Sequence, residues 1–302
     1  MLTVRAPATS ANLGSGYDVF GVALERPADV VTVERAPETT ITMTGTGSQY
    51  IPEDPDRNVA GAVAEALGVT ARIEIDKGVR PSSGLGSSAA SAAGVAVALD
   101  ELYDLGYSRR ELVPVAAEGE ALASGEAHVD NVAPALLGGF TAAASDTAGT
   151  GEQSDLDVTQ IDATVPLVVC LPDLVVSTRD ARAMVPDSAS MDELVETVGH
   201  AAQLVTGMCR NDPALVGAGM DDPVVTPARA TLIDGYDGVQ EAALAAGATG
   251  VTVSGAGPAV VAACHPEDRR RIAATMIEAF ADAGVDARAY QTAVGEGVTV
   301  QG

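Results

Sequence analysis

Residues 82–91 read SSGLGSSAAS, a loop of small residues that leads directly into a long alanine-rich helical pattern. Gly84 and Gly86 allow the main chain to turn so that several N–H groups point toward one place. The first turn of the following helix adds unpaired N–H groups and the positive end of the helix dipole. This combination predicts an anion-binding site, and the alternative is a simple capping turn closed by Ser87 or Ser88. A Walker loop is excluded because no lysine follows Gly86.

Strand patterns and one helix precede this loop. NVAGAVAEALG at 58–68 repeats apolar residues at helical spacing and stops at a glycine, which predicts a helix. After the loop, helical patterns cover 88–106 and 108–125, and a third begins at 128. Segments rich in β-branched residues and bounded by Gly, Pro or Asp predict four strands, namely LTVRA at 2–6, VVTVERA at 30–36, TTITMTG at 39–45 and TARIEID at 70–76.

The second half of the chain has a different order of elements. Residues 144–157 carry no apolar periodicity and indicate a loop near a domain boundary, so we divide the chain into domains at 1–155 and 156–302. Strand–helix–strand–strand–helix–strand is the order of a ferredoxin-like sandwich, and the whole chain is predicted to be an α+β protein of two domains. The predicted strands cover 165–172, 250–254, 259–264 and 286–290, and the predicted helices cover 179–184, 191–208, 212–219, 227–246 and 266–284.

The chain of 302 residues is strongly acidic, with 42 Asp and Glu against 17 Lys and Arg and a formal charge of −25. Such a field repels nucleic acid and anionic membranes, so we expect neither as a partner. The scarcity of lysine and of aromatic residues (3%) is typical of proteins from salt-loving organisms, although a merely acidic mesophilic enzyme is the alternative. No stretch approaches the roughly 18 apolar residues of a membrane span and no secretory signal opens the chain, which predicts a cytoplasmic protein.

Two residue types invite functional interpretations that the sequence does not favour. Lys77 is the single lysine of the chain, and its place in the turn-like segment IDKGVRPSSG predicts a solvated side chain, with long-range help to nucleotide binding as the alternative. The cysteines Cys170, Cys209 and Cys264 lack metal-ligand spacing, so we expect buried packing residues.

Two further segments contain candidate ligand groups. In PATSANLGSGYDVFG at 7–21, Asp18 lies at a strand-like position among apolar residues, where a carboxylate is costly unless it is paired or liganded; a solvated edge-strand aspartate is the alternative. Asn12 is either a second candidate or a turn former. SGAGP at 254–258 lies between two strand patterns and predicts a hairpin turn whose glycines also permit close approach of a ligand.

As a set, PATSANLGSGYDVFG, PSSGLGSSAAS at 81–91 and SGAGP resemble the three signature motifs of the GHMP small-molecule kinases, named after galactokinase, homoserine kinase, mevalonate kinase and phosphomevalonate kinase. The first motif, SGEAHVDNVAPALLGGF at 124–140 and STRDAR at 177–182 are most similar to the homoserine kinase branch, and the composition suggests a member from a halophilic archaeon. The resemblance implies a ribosomal-protein-like N-terminal domain that binds ATP, a ferredoxin-like C-terminal domain and an active site between them.

The resemblance also implies roles for individual residues on the nucleotide side. Ser88 and Glu120 would hold Mg²⁺, for which hard oxygen ligands are suited, although Glu120 could also belong to a solvated helix face. Asn58 matches an adenine-side position and could equally be a bare helix cap. The implied ATP-binding residues are Asn58, Pro81, Ser82, Ser83, Gly84, Leu85, Gly86, Ser87, Ser88, Gly255 and Gly257.

On the acceptor side, the resemblance implies that Asp18 binds an ammonium group and that Arg182 and Arg229 bind a carboxylate, since a guanidinium can contact two oxygens. The implied substrate-binding residues are Asn12, Asp18, His128, Thr178, Arg182 and Arg229. His128 could equally be a packing or capping residue.

The implied catalytic residues are Asn131, Asp130 and Arg182. Related kinases use an aspartate as base, and Asp130 is similar in sequence, whereas homoserine kinases place an asparagine where that base would act. Our hypothesis is that Asn131 orients the γ-phosphate or the hydroxyl and that Asp130 is structural, which phosphoryl transfer tolerates.

The implied activity is ATP-dependent phosphorylation of L-homoserine to O-phospho-L-homoserine in threonine biosynthesis, by a homodimer. Two alternatives stay open, another GHMP kinase acting on shikimate or mevalonate and a nucleotide-binding regulator that has lost catalysis. The two arginines favour a carboxylate-bearing substrate over a sugar. A nicotinamide dehydrogenase is disfavoured because no GxGxxG follows the first strand.

Overall fold

The computed structural model describes residues 1–124, 127–144 and 157–301. Residues 145–156 of the predicted boundary loop and residues 125–126 therefore lie outside the described residues. The strands are β1 (Leu2–Ala11), β2 (Phe20–Arg35), β3 (Thr40–Gly45), β4 (Ala71–Lys77), β5 (Phe140–Ala144), β6 (Asp157–Ile161), β7 (Pro166–Pro172), β8 (Ala248–Val253), β9 (Val260–Cys264), β10 (Ala287–Ala293) and β11 (Thr299–Gln301). The helices are α1 (Val59–Ala66), α2 (Ser87–Tyr103), α3 (Leu112–Ser124), α4 (Val129–Leu137), α5 (Thr178–Ala183), α6 (Met191–Arg210), α7 (Pro213–Gly219), α8 (Val225–Ala230), α9 (Tyr236–Ala245) and α10 (Arg269–Asp282).

The first sheet is organised around β2, whose sixteen residues are long enough to pair with three neighbours. Within the described residues the strand order is β11-β1-β2-β4-β3, and β5 extends from β2 and carries β6. The pairs are antiparallel apart from β3 with β4, which is parallel. β4 alternates buried and exposed residues along its whole length, the period expected of a strand with one face on the core.

Helix α2 packs against β1 and β2, and its alanines explain how it can do so. Residues 89–100 are buried without interruption, because small side chains allow the helix to lie close to the sheet. A Cβ added to Gly94 would lie 2.8 Å from the Val31 side chain, so glycine is required at this contact. The loop at 82–86 is thus attached to one of the most deeply buried helices of the molecule.

The second sheet has the strand order β10-β7-β9-β8 and is antiparallel throughout. Helix α10 packs on β7 and β10, and α9 packs on β8. Counted by chain order within this sheet, the strands read 4-1-3-2, and the predicted ferredoxin-like arrangement is confirmed.

Several boundaries differ from those predicted. The single helix predicted at 227–246 is wrong, because the chain turns after α8 and restarts at Gly235, which precedes α9 with φ of +87°. β1 and β2 extend toward each other beyond their predicted segments, so the turn of the first motif connects two paired strands. Cys170 and Cys264 are buried as predicted, whereas the prediction for Cys209 is wrong because this residue lies on an exposed position of α6.

The division at 155/156 stays a prediction. The first sheet includes β6, which follows that division, and β11, near the other end of the chain. The chain passes from the first sheet to the second between β6 and β7. Within the described residues, every helix is too short or too polar to cross a membrane.

Candidate active site

The three signature segments meet at one cleft between the two sheets. The Ser254 hydroxyl lies 2.8 Å from the carbonyl oxygen of Gly84 and 2.8 Å from the hydroxyl of Ser10. The amide of Gly255 donates to the Ala11 carbonyl at 3.1 Å, and β8 and β9 form the hairpin predicted around SGAGP. These contacts connect strands β1 and β8 with the glycine loop.

The cleft has a volume of about 340 Å³ and contains nearly every residue predicted for the site. The exception is Leu85, whose side chain is buried in the core. The predicted residues that line the cleft are Asn12, Asp18, Asn58, Pro81, Ser82, Ser83, Gly84, Gly86, Ser87, Ser88, Glu120, His128, Asp130, Asn131, Thr178, Arg182, Arg229, Gly255 and Gly257.

The glycine loop opens the N-terminus of α2 toward the cleft. Gly84 and Gly86 have φ of +76° and +61°, a region that favours glycine. Gly86 is the residue before α2, and no side chain among the described residues caps the helix start, so the alternative of a capping turn is wrong. The Ser87 hydroxyl instead donates to the Val79 carbonyl at 2.8 Å. The helix amides are therefore left for an anion.

Ser83 supplies a second sign of an oxygen-rich ligand. Its side-chain oxygen is buried and has no hydrogen-bond partner among the described residues, although it lines the cleft. A buried hydroxyl without a partner is costly, and a ligand oxygen would satisfy it.

Lys77 lies beneath the glycine loop, and the prediction of a solvated side chain is wrong. Its ammonium forms a buried ion pair with Asp29 and donates to the Ser87 carbonyl and to the Ser91 hydroxyl, each at 2.8 Å. The other Asp29 oxygen accepts the amides of Gly78 and Val79. Burial lowers the pKa of Lys77, and Asp29 opposes that shift. This cluster joins β2, β4 and the first turn of α2.

Ser88 and Glu120 form a pair of hard oxygen donors at the start of α2. The Ser88 hydroxyl donates to Oε1 of Glu120 at 2.6 Å, and the amide of His128 donates to Oε2 at 3.2 Å. Burial raises the pKa of Glu120 to about 7. A divalent cation would favour the charged carboxylate, so these two residues fit the predicted Mg²⁺ site.

Asp130 and Asn131 lie on the first turn of α4. The Asn131 side chain donates to Oδ1 of Asp130 at 3.3 Å and accepts from the Thr9 hydroxyl at 2.7 Å. Burial raises the pKa of Asp130 to about 7, and the nearby Asp18 charge adds to that rise. Thr9 was missed by sequence reasoning, because a threonine inside a strand carries no local signal of a site.

The acceptor side of the cleft is built from charged side chains. Asp18 pairs with Arg182, with Oδ2 and Nη1 3.0 Å apart, and its φ of +55° places it in a turn. The predicted strand-like position is therefore wrong, and the residue is exposed. Asn12 holds this turn, because its Oδ1 accepts the Asp18 amide at 3.0 Å and its Nδ2 donates to the Gly255 carbonyl at 3.1 Å.

The second arginine of this side is buried. Arg229 is 5% exposed and donates to the Gly255 carbonyl at 2.8 Å. Its guanidinium carbon lies 4.9 Å from the centre of the Tyr17 ring. Sequence reasoning missed Tyr17, although it lies inside the motif PATSANLGSGYDVFG at 7–21 and adjoins Asp18.

Three further predicted residues lie at helix starts. Asn58 caps α1, because its Oδ1 accepts the Ala60 amide at 2.9 Å, and it also lines the cleft. Thr178 and His128 lie at the starts of α5 and α4 and face the same cleft. The arrangement thus places an anion loop, a pair of cation ligands and two arginines around one space.

Known proteins share the sequence of this chain over most of its length. Residues 57–139 match the GHMP kinases N terminal domain and residues 204–282 match the GHMP kinases C terminal domain. A homoserine kinase of Haloarcula marismortui is 69% identical over 300 residues, which cover 99% of this chain and 100% of that protein. A homoserine kinase of Methanocella arvoryzae is 47% identical over 300 residues, covering 99% of this chain and 97% of that protein.

Solved structures of other kinases are similar to this chain. The crystal structure of homoserine kinase from Cytophaga hutchinsonii has a TM-score of 0.89 at 35% identity and covers 99% of this chain and 97% of that one. A mevalonate kinase of L. major, at 15% identity and a TM-score of 0.73 over 97% of this chain and 95% of that one, shows the shared fold. The chain therefore belongs to the homoserine kinase family of the GHMP kinases and has their two-domain α+β fold.

Proposed function

We propose that the protein transfers the γ-phosphoryl group of ATP to the hydroxyl of L-homoserine, giving ADP and O-phospho-L-homoserine. One observation supports this most strongly: the anion loop, Asn131 and two arginines line the same cleft. The loop suits a triphosphate and the arginines suit a carboxylate. The pairing of Asp18 with Arg182 supplies both signs that an amino-acid acceptor requires.

The nucleotide side would bind ATP through main-chain groups. The helix amides at the start of α2 and the hydroxyl of Ser83 would contact phosphate oxygens, and Asn58 would lie on the adenine side. Ser88 and Glu120 would hold Mg²⁺, which supplies charge neutralisation at the phosphates when bound. In a molecule of charge −25, such local positive elements are needed to attract ATP at all.

The chemical step forms a bond between the homoserine oxygen and the γ-phosphorus and breaks the bond from that phosphorus to the bridging oxygen of ADP. We infer that Asn131, held by Thr9 and Asp130, orients the reacting groups, and that the hydroxyl proton passes to a phosphate oxygen. Arg182 would neutralise charge near the transferred group as well as bind the carboxylate. Phosphoryl transfer depends mainly on alignment and electrostatics, so a side-chain base is not required.

An ADP-release assay in molar potassium chloride tests this proposal, with L-homoserine, shikimate and mevalonate as parallel acceptors. We expect turnover with homoserine at least a hundredfold above that with the other two, because only homoserine offers an ammonium beside its carboxylate. Preference for shikimate or mevalonate would refute the acceptor. Calorimetry that shows ATP binding while no alcohol is phosphorylated would instead support a nucleotide-binding regulator.

We also propose that the protein acts in the cytoplasm, as a homodimer, in threonine biosynthesis. The assembly rests on the family resemblance. Light scattering in molar potassium chloride at several protein concentrations tests it, and a mass of one chain throughout would contradict it.

A further inference from the structure

Tyr17 lies between the two arginines of the acceptor side and contacts both. Its hydroxyl accepts from Nη1 of Arg182 at 3.1 Å. Its ring lies under the guanidinium of Arg229, with 4.9 Å from the guanidinium carbon to the ring centre. One side chain thus contacts two cations through two different groups, the ring face and the phenol oxygen.

These contacts matter because the two arginines carry like charges within one small cleft. The aromatic face is negative and attracts a guanidinium, while the phenol oxygen is a hydrogen-bond acceptor. Asp18 balances Arg182, but Arg229 is buried and Tyr17 supplies an aromatic face against it. Burial and the Arg182 charge lower the pKa of Arg229, and Tyr17, Asp18 and Asp130 oppose that shift.

The guanidinium of Arg229 has a buried donor that the described residues leave unsatisfied. Its Nη1 donates to the Gly255 carbonyl, whereas its buried Nε has no hydrogen-bond partner among the described residues. A buried donor without a partner is costly, and a carboxylate that binds two guanidinium nitrogens would satisfy it. A ring that holds this group in one orientation therefore prepares it for a carboxylate.

We infer that Tyr17 is a positioning residue that orients Arg182 and Arg229 together and so determines specificity for acceptors that carry a carboxylate. The inference rests on the proposed function, since it concerns the acceptor site of that reaction. It assigns the hydroxyl of Tyr17 to Arg182 and the ring to Arg229, so the two contributions can be separated by substitution.

The test uses two fragments of homoserine. 4-Hydroxybutanoate keeps the carboxylate and lacks the ammonium, and 3-aminopropan-1-ol keeps the ammonium and lacks the carboxylate. Their dissociation constants are measured by ligand-detected NMR titration, which does not require either fragment to be phosphorylated. KM for homoserine and KM for ATP are measured on the same preparations.

Tyr17→Phe removes the hydroxyl contact and keeps the ring, so we expect binding of 4-hydroxybutanoate to weaken about tenfold. Tyr17→Leu removes both contacts, and we expect weakening of about 100-fold. KM for homoserine should rise in parallel. Because the Tyr17 hydroxyl also has a side-chain hydrogen bond with Asp18, binding of 3-aminopropan-1-ol should weaken too, but clearly less than binding of 4-hydroxybutanoate. KM for ATP should stay within twofold of the unsubstituted protein, which a general loss of structure would not allow.

Tyr103 provides a matched control outside the cleft. Its ring lies 4.7 Å from the Arg35 guanidinium carbon, and its hydroxyl donates to the Thr70 carbonyl. Tyr103→Phe and Tyr103→Leu should leave both fragments unaffected even if the melting temperature falls.

Equal weakening of both fragments by Tyr17→Phe would overturn the inference, and so would unchanged binding of 4-hydroxybutanoate or failure of the unsubstituted protein to bind it. Failure of the proposed function has a different signature, namely no phosphorylation of homoserine by the unsubstituted protein.

Discussion

The two sides of the cleft are built from different materials. On the nucleotide side, main-chain amides of a glycine loop face the cleft, and the buried Lys77–Asp29 ion pair lies beneath that loop. On the acceptor side, the Asp18 and Arg182 side chains that pair with each other are 43% and 41% exposed. Breaking a buried pair leaves an uncompensated charge, whereas an exposed pair contributes little to stability. The nucleotide side is therefore tied to folding, while the exposed Asp18–Arg182 pair of the acceptor side can change without unfolding the protein.

The largest expected effect is on the chemical step. Glu120→Gln keeps the shape of the side chain but removes the charge proposed to hold Mg²⁺, so kcat should fall about 1,000-fold. Glu118→Gln, an exposed neighbour on the same helix, should leave kcat unchanged. Steady-state kinetics across a range of Mg²⁺ concentrations measures both, and equal activity of the two variants would disprove the metal assignment.

The second effect concerns stability. Lys77→Met leaves Asp29 buried without its partner, so the free energy of unfolding should fall by about 3–5 kcal/mol. Adding Asp29→Asn should restore part of the loss because the uncompensated carboxylate is gone. Arg72→Ala breaks the pair with Glu34, whose side chains are 57% and 41% exposed, and should cost less than about 1 kcal/mol.

Denaturant unfolding in molar potassium chloride compares these variants. If Lys77→Met lowers the free energy of unfolding no more than Arg72→Ala does, the buried pair contributes no more to stability than an exposed pair. The proposed difference between the two sides of the cleft would then be wrong.

The third effect is confined to the acceptor side. Arg182→Ala should raise KM for homoserine about 10- to 100-fold through loss of charge-assisted hydrogen bonds. KM for ATP and the melting temperature should change little, because the pair with Asp18 is half exposed. Arg179→Ala, on the same helix but outside the cleft, is the control. A fall in stability comparable to that of Lys77→Met would contradict the comparison.

The smallest expected effect on turnover is that of Asp130→Asn. If Asn131 orients the reactants and Asp130 is structural, kcat should stay within about tenfold, whereas loss of a general base costs roughly 100- to 10,000-fold. A loss of several orders of magnitude would make Asp130 the base.

Asp130 also gives a pH-dependent prediction with a definite sign. Burial raises its pKa from 3.8 to about 7, so the folded state binds this proton more tightly than the unfolded state. Raising the pH from 5 to 8 therefore destabilises the fold through this residue, and Asn removes that dependence. The melting temperature of Asp130→Asn should exceed that of the unsubstituted protein at pH 8, and the difference between the two should be smaller at pH 5.

The elements that the sequence predicted well are those whose signal is local. α1 begins after Asn58 and ends near Gly68, and β4 alternates as its β-branched pattern indicates. The glycine loop was placed correctly because the positive φ angles of Gly84 and Gly86 are a property of those residues themselves.

One wrong prediction and two missed residues depend on partners distant in the chain. Lys77 has the sequence context of a solvated turn, and only the fold brings Asp29, 48 positions earlier, into contact with it. Tyr17 and Thr9 became visible only when Arg229 and Asn131 were placed beside them. Where a side chain is explained by a non-local partner, pattern alone cannot distinguish a site from a surface.

The Ser254 hydroxyl contacts both the Ser10 hydroxyl and the Gly84 carbonyl. The anion loop is therefore held in place by parts of the chain that are distant in sequence. Nucleotide bound at that loop would restrain the end of β1 and the β8–β9 hairpin together. Amide hydrogen exchange should then slow at both places when ADP is added, in proportion to its occupancy. The same contacts imply that a peptide containing the glycine loop alone would lack Ser10 and Ser254. Such a peptide would not bind phosphate when transferred to another protein.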